Sequence, residues 1–103
     1  MANSIRMRAR ASDGVVEVKA LIKHEMETGL RKDSSTGELI PAHYIQEVMA
    51  EVNGEPVMTA LWGPGVSKNP YLAFQYKGGS GDTVKLSWTD NEGMSDSSET
   101  RVR

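Results

Sequence analysis

The stretch Ser4–Ile22, SIRMRARASDGVVEVKALI, decides the fold class. Ile5, Met7, Ala9 and Ala11 alternate with Arg6, Arg8 and Arg10. In an extended chain successive side chains point to opposite faces, so one face is apolar and the other carries guanidinium groups. Ser12-Asp13-Gly14 is turn chemistry, and Val15–Ile22 returns as a run rich in β-branched residues. The segment predicts an antiparallel hairpin with one buried face.

Further along, the same pattern recurs. In AHYIQEVMAEV, residues 42–52, Tyr44, Val48, Ala50 and Val52 share a face. Asn53-Gly54 is the strongest short hairpin signal, and PVMTALW, residues 56–62, is the return strand. YLAFQYK, Tyr71–Lys77, alternates again, and Gly78–Asp82 reads as a flexible hairpin end. TVKLSWTD then brings Val84, Leu86 and Trp88 into register, and Asn91-Glu92-Gly93 turns into a polar tail suited to an edge strand. Six strands and a seventh, with no helical period, predict an all-β, immunoglobulin-like antiparallel β-sandwich of about seven strands, although the Cys-Trp-Cys pattern of antibody domains is missing.

The 103 residues form one domain, residues 1–103, large enough to bury a core without staples. A net charge of −2 supplies no basic field for nucleic acid or anionic membrane. The apolar runs are far shorter than the ~20 residues of a membrane-spanning helix, and MANSIRMRARA has no apolar core of a secretion signal. Cysteine is absent, which excludes disulfides, thiolate metal sites and thiol nucleophiles. Cysteine usage therefore leaves the compartment open.

Catalytic patterns are weak. The two histidines, His24 and His43, accompany no nucleophile motif, and Glu25 with Glu27 reads as a solvated face. His24-Glu25-Met26 places imidazole and thioether two residues apart, a set that would suit copper. Met7, Met49 and Met58 fall inside strand patterns as apolar filler, and Met1 is the initiator. Arg6, Arg8 and Arg10 read as a guard against edge-to-edge pairing, and GGSGD lacks the lysine of a phosphate loop.

Two decorated segments remain. Residues 23–40 form a long polar loop, of a length that often signals function. Trp62–Pro70, WGPGVSKNP, joins two strands with two prolines and two glycines, where Gly63-Pro64-Gly65 fixes a bend and the rest presents a preorganised surface for protein docking.

The blocks METGLRKD, GELIPAHYI, NGEPVMTALWGPGVSKNPYLAFQYKG and GDTVKLSWTDNEG resemble the SoxZ family, from about Ile5 to Gly93. The resemblance implies a non-catalytic, cofactor-free subunit of the SoxYZ carrier of bacterial thiosulfate oxidation, with an immunoglobulin-like fold. Its heterodimer partner SoxY carries sulfur intermediates on a cysteine of a C-terminal arm and delivers them to other Sox enzymes. It also implies a periplasmic location, reached by co-export with signal-bearing SoxY. On this reading Met26, Glu27, Thr28, Gly29, Leu30, Arg31 and Lys32, and Trp62, Gly63, Pro64, Gly65, Val66, Ser67, Lys68 and Asn69, are partner-facing loops. Tyr44, Met49, Met58, Tyr71, Phe74 and Tyr76 exceed the needs of one inward face, which places some of them at an interface and leaves a homodimer open to the isolated chain through that patch. The competing reading is a periplasmic copper-binding β-sandwich using His24, Met26 and His43.

Overall fold

A computed structural model describes residues 4–103. Its seven strands are β1 (Ile5–Ser12), β2 (Val15–Ile22), β3 (Ile45–Val52), β4 (Glu55–Leu61), β5 (Tyr71–Lys77), β6 (Thr83–Asp90) and β7 (Ser95–Arg101). They form two antiparallel sheets, ordered β1-β2-β5 and β4-β3-β6-β7, in a sandwich. Met1 lies outside the described residues.

Two predicted hairpins close as expected. Asp13 and Gly14 join β1 to β2 with φ of 52° and 78°, and Asn53 and Gly54 join β3 to β4 with φ of 52° and 86°. Two successive left-handed residues twist the connection to match right-twisted strands, which is why Asp-Gly and Asn-Gly work here.

The core forms where the alternating faces meet. Val16, Val18, Ala20 and Ile22 of β2 point inward against Val48 and Ala50 of β3 and Val84, Leu86 and Trp88 of β6, all essentially inaccessible. Strict alternation from Val48 and Ala50 would turn Ile45 outward. A register shift between Ile45 and Glu47 against β6 turns it in instead, and Tyr44, expected on that strand face, precedes β3 and packs on the core from its margin.

Gly78–Asp82 is not a hairpin end, because β5 and β6 belong to different sheets. Nor is it loose. The Asp82 carboxylate accepts from the Gly79 N–H, the Tyr76 hydroxyl and the Asn53 amide, each at 3.2 Å. Gly78 is required by close approach, since a Cβ there would lie 2.5 Å from a Tyr76 ring carbon.

The polar tail forms β7 beside β6 and then continues as a seam. The Val102 N–H donates to the Asp82 carbonyl and the Gly81 N–H to the Val102 carbonyl. The Arg103 N–H donates to the Ala9 carbonyl at 3.1 Å, and the Ala11 N–H donates to the Arg103 carbonyl at 2.8 Å. The residues after β7 are thereby tied to β1 at Ala9 and Ala11 on one flank of the sandwich, while β4 and β5 are the end strands at the other flank.

Candidate functional site

Strand direction brings three connections to one end: residues 23–44 between β2 and β3, 62–70 between β4 and β5, and 91–94 between β6 and β7. The first two are the segments flagged in the sequence, and they touch. The His24 N–H donates to the Asn69 side-chain carbonyl at 3.1 Å, the Asn69 N–H donates to the His24 carbonyl at 3.0 Å, and Lys68 lies 3.8 Å from Glu25. Asn69 does this from the left-handed region, φ 52°, which asparagine tolerates better than most residues.

Residues 23–44 are an arm rather than an irregular loop. Isolated bridges pair Glu27 with His43 and Lys32 with Leu39, and the tip turns at Asp33–Gly37 with the Asp33 carboxylate accepting from the Ser35 N–H and hydroxyl. Those bonds hold Asp33 below the usual carboxylate range, as the Arg31 guanidinium does Glu27. Gly29 is a genuine glycine position: its φ is +85°, and a Cβ would meet the Ala42 Cβ at 3.2 Å across the arm. Leu30 and Leu39 stand exposed, at 83% and 58%.

Where the arm joins the sandwich, buried Asp90 collects four donors. One oxygen accepts from the Glu92 and Met94 N–H groups, and the other lies 3.0 Å from His24 Nε2 and 2.8 Å from His43 Nε2. His24 Nδ1 accepts from the Met26 N–H at 3.2 Å, which fixes the His24 proton on Nε2, where it donates to Asp90. The two imidazoles meet edge to face at 4.4 Å, and Trp88 lies edge to face with His24 at 5.1 Å. Burial alone would raise the Asp90 carboxyl, but the bonds from His24, the Met94 N–H, His43 and the Glu92 N–H outweigh it and hold it below the ordinary value.

His24, His43 and Asp90 offer one ligand atom each within 4.8 Å of one another, a spacing that could span a metal ion. The donor chemistry does not fit. A cation on His24 Nε2 would require the proton on Nδ1, which would then face the Met26 N–H, donor against donor. Met26 supplies no ligand either: it is buried at φ 51°, and its sulfur accepts the Ile45 N–H at 3.4 Å. The cluster is a hydrogen-bonded clasp between the arm and the end of β6.

Of the residues expected at partner-facing loops, Met26 is turned inward, and Trp62 and Val66 pack partly against the core. Thr28, Leu30, Arg31, Lys32, Pro64, Gly65, Ser67, Lys68 and Asn69 are exposed, and Glu27 and Gly63 half-buried. Arg31 pairs with Glu27, four residues back along the arm. Among the aromatic and methionine residues expected in part at an interface, Tyr71 is 61% exposed, whereas Tyr44, Met58, Phe74 and Tyr76 serve the core. Sequence reading missed Asp90, although the inward register Val84, Leu86, Trp88 reaches it at the next alternate position.

Gly63 and Gly65 behave unlike Gly29. Neither has a left-handed φ, and a Cβ on either would meet nothing within 4 Å. The expected bend is a turn closed by the Val66 N–H donating to the Gly63 carbonyl at 3.3 Å, with Pro64 and Gly65 central. Such a turn, without a left-handed residue at its third position, accepts almost any residue there.

The family model described as sulphur oxidation protein SoxZ matches residues 5–101 of this chain. No curated protein matches it.

Proposed function

Because the chain belongs to the SoxZ family and hence to the sulphur-oxidation system, we propose that it is the non-catalytic subunit of a two-subunit sulfur carrier, docking SoxY through the loop end. One observation carries this reading. Gly63 and Gly65 are demanded neither by backbone conformation nor by internal packing, which supports reading the open space beside them as room for a partner's surface. Leu61, 79% exposed, and Tyr71 flank the same loop and supply apolar contact area. Lacking cysteine, the chain takes no covalent part, and SoxY carries the thiosulfate-derived sulfur on its own thiol to the other Sox enzymes. We place the pair in the periplasm, this chain travelling with signal-bearing SoxY.

The test is calorimetric titration of SoxY with three forms of the protein. Gly63→Ala/Gly65→Ala is expected to melt at or above the parent temperature, because alanine stabilises compatible positions by about 0.4–1 kcal/mol, yet to bind SoxY at least tenfold more weakly. Gly29→Ala is the contrasting control, losing stability through strain in the arm. Undiminished SoxY affinity in the double variant would remove the loop from the interface, and absence of binding by the parent would remove the carrier reading itself.

A further inference from the structure

The outer face of the β1-β2-β5 sheet carries Arg6, Arg8, Arg10, Lys19 and Lys77 against the single carboxylate Glu17. Five cations against one anion make a local charge of +4, which leaves −6 on the remainder of a chain whose total is −2. Bulk composition concealed this segregation.

Explanations internal to the chain fall short. An edge guard has no work at Arg10, because the Arg103 backbone bonds to Ala9 and Ala11 on either side and closes the edge there. Ion pairing does not use the stripe: among the described residues, Arg6, Arg8 and Arg10 have no carboxylate within 4.0 Å, and Glu17 turns to Lys19 at 3.4 Å. The ladder also sets Arg8 directly opposite Lys19. Like charges facing one another across antiparallel strands are destabilising, and although Glu17 lies opposite Arg10 and pairs with Lys19, one carboxylate serves five cations on this face.

We propose that this face docks an extended acidic segment of a protein partner, with alternate carboxylates pairing Arg6, Arg8 and Arg10. Alternate residues of a strand stand roughly 6.6–6.8 Å apart, the spacing of alternate side chains in any extended segment laid beside it. Guanidinium forks match carboxylates in bidentate geometry. The stripe borders a groove of about 670 Å³ where Arg101 and Arg103 join Arg8 and Arg10, with Glu17 also in its lining, which widens the cationic track beside β1. Leu21, opposite both Arg6 and Tyr71, gives the track an apolar margin of the kind protein interfaces use. Nucleic acid is the poorer match, because Tyr71 is the one aromatic on this face and successive bases need a row of them. This inference stands apart from the SoxY reading, which concerns the loop end.

The experiment is an NMR titration of the isotopically labelled protein with a disordered peptide of alternating Asp and Ser, at low and at physiological salt. Shifts confined to β1, β2 and the 101–103 seam, weakening with salt, are expected. Arg8→Ser/Arg10→Ser is expected to bind roughly tenfold more weakly, as the loss of two exposed charge pairs allows. Arg8→Ser alone should fold at least as stably as the parent, because it relieves the repulsion with Lys19. No shifts at low salt, shifts mapping instead to the arm lysines, or unchanged binding by the double variant would overturn the proposal. So would tighter binding of single-stranded DNA of equal charge.

Discussion

Replacing Asp90 by asparagine tests the clasp at the base of the arm. The amide preserves shape, so its carbonyl continues to accept from the Glu92 and Met94 N–H groups while its NH2 replaces the oxygen shared by the two histidines. His43 adapts by moving its proton to Nδ1 and accepting at Nε2. His24 cannot, because its Nδ1 is already taken by the Met26 N–H. The substitution therefore removes one charge-assisted hydrogen bond and leaves a buried N–H facing another, a combined cost of about 3 kcal/mol. In a domain of this size that lowers the melting temperature by about 15 °C. Urea unfolding at neutral pH should show the loss at unchanged m-value. The pH dependence gives a second readout. With the folded-state carboxyl held below its ordinary value, Asp90 stabilises fully above the unfolded value, about pH 4, and the stabilisation is lost as pH falls through the lower folded value. The gap between parent and Asp90→Asn should accordingly narrow in acid. A neutral-pH loss below about 0.5 kcal/mol would refute the tautomer argument, and with it the case against a metal at these residues.

Two further outcomes follow from the opposite end of the sandwich. Burial, and then the bond to Asp82, push the Tyr76 phenol from 10.0 up to about 12, so its contribution is complete below pH 10 and fades as pH rises towards 12; alkaline unfolding of the parent should show that decline and Tyr76→Phe should not. Val102, 3% exposed in the seam, should cost about 2 kcal/mol on truncation to alanine, measured by thermal melting.

What could be read from the sequence was local. Asp13-Gly14 and Asn53-Gly54 announce their own turns, because the left-handed pair is dictated by residue type, and alternation in β1, β2, β5 and β6 survives into the sheets. Pairing between distant segments was less visible. The bridges that stiffen the arm join Glu27 to His43 and Lys32 to Leu39, and neither pair follows a strand period. The clasp unites residues 66 and 47 positions apart, so only the completed fold makes one site of them. Gly78–Asp82 misled because glycine-rich composition resembles a loose turn, whereas the site is organised by one carboxylate and one aromatic ring. In WGPGVSKNP the glycines attracted the reading of a fixed bend, while the left-handed backbone is at Asn69.

The seam between β1 and β7 also limits assembly. Arg103 caps the β1 border at Ala9 and Ala11 and leaves the earlier part of β1 open, while β5 and β4 keep their borders on the other flank. Fibrous growth by strand addition needs a receptive border on each side of every unit, so that one can accept a neighbour while the other offers a template. In this chain the seam shortens the receptive border on one of those sides. A neighbour adding beside β1 would find free backbone partners only ahead of Ala9, so strand addition on that flank has a shorter template than on the flank of β4 and β5.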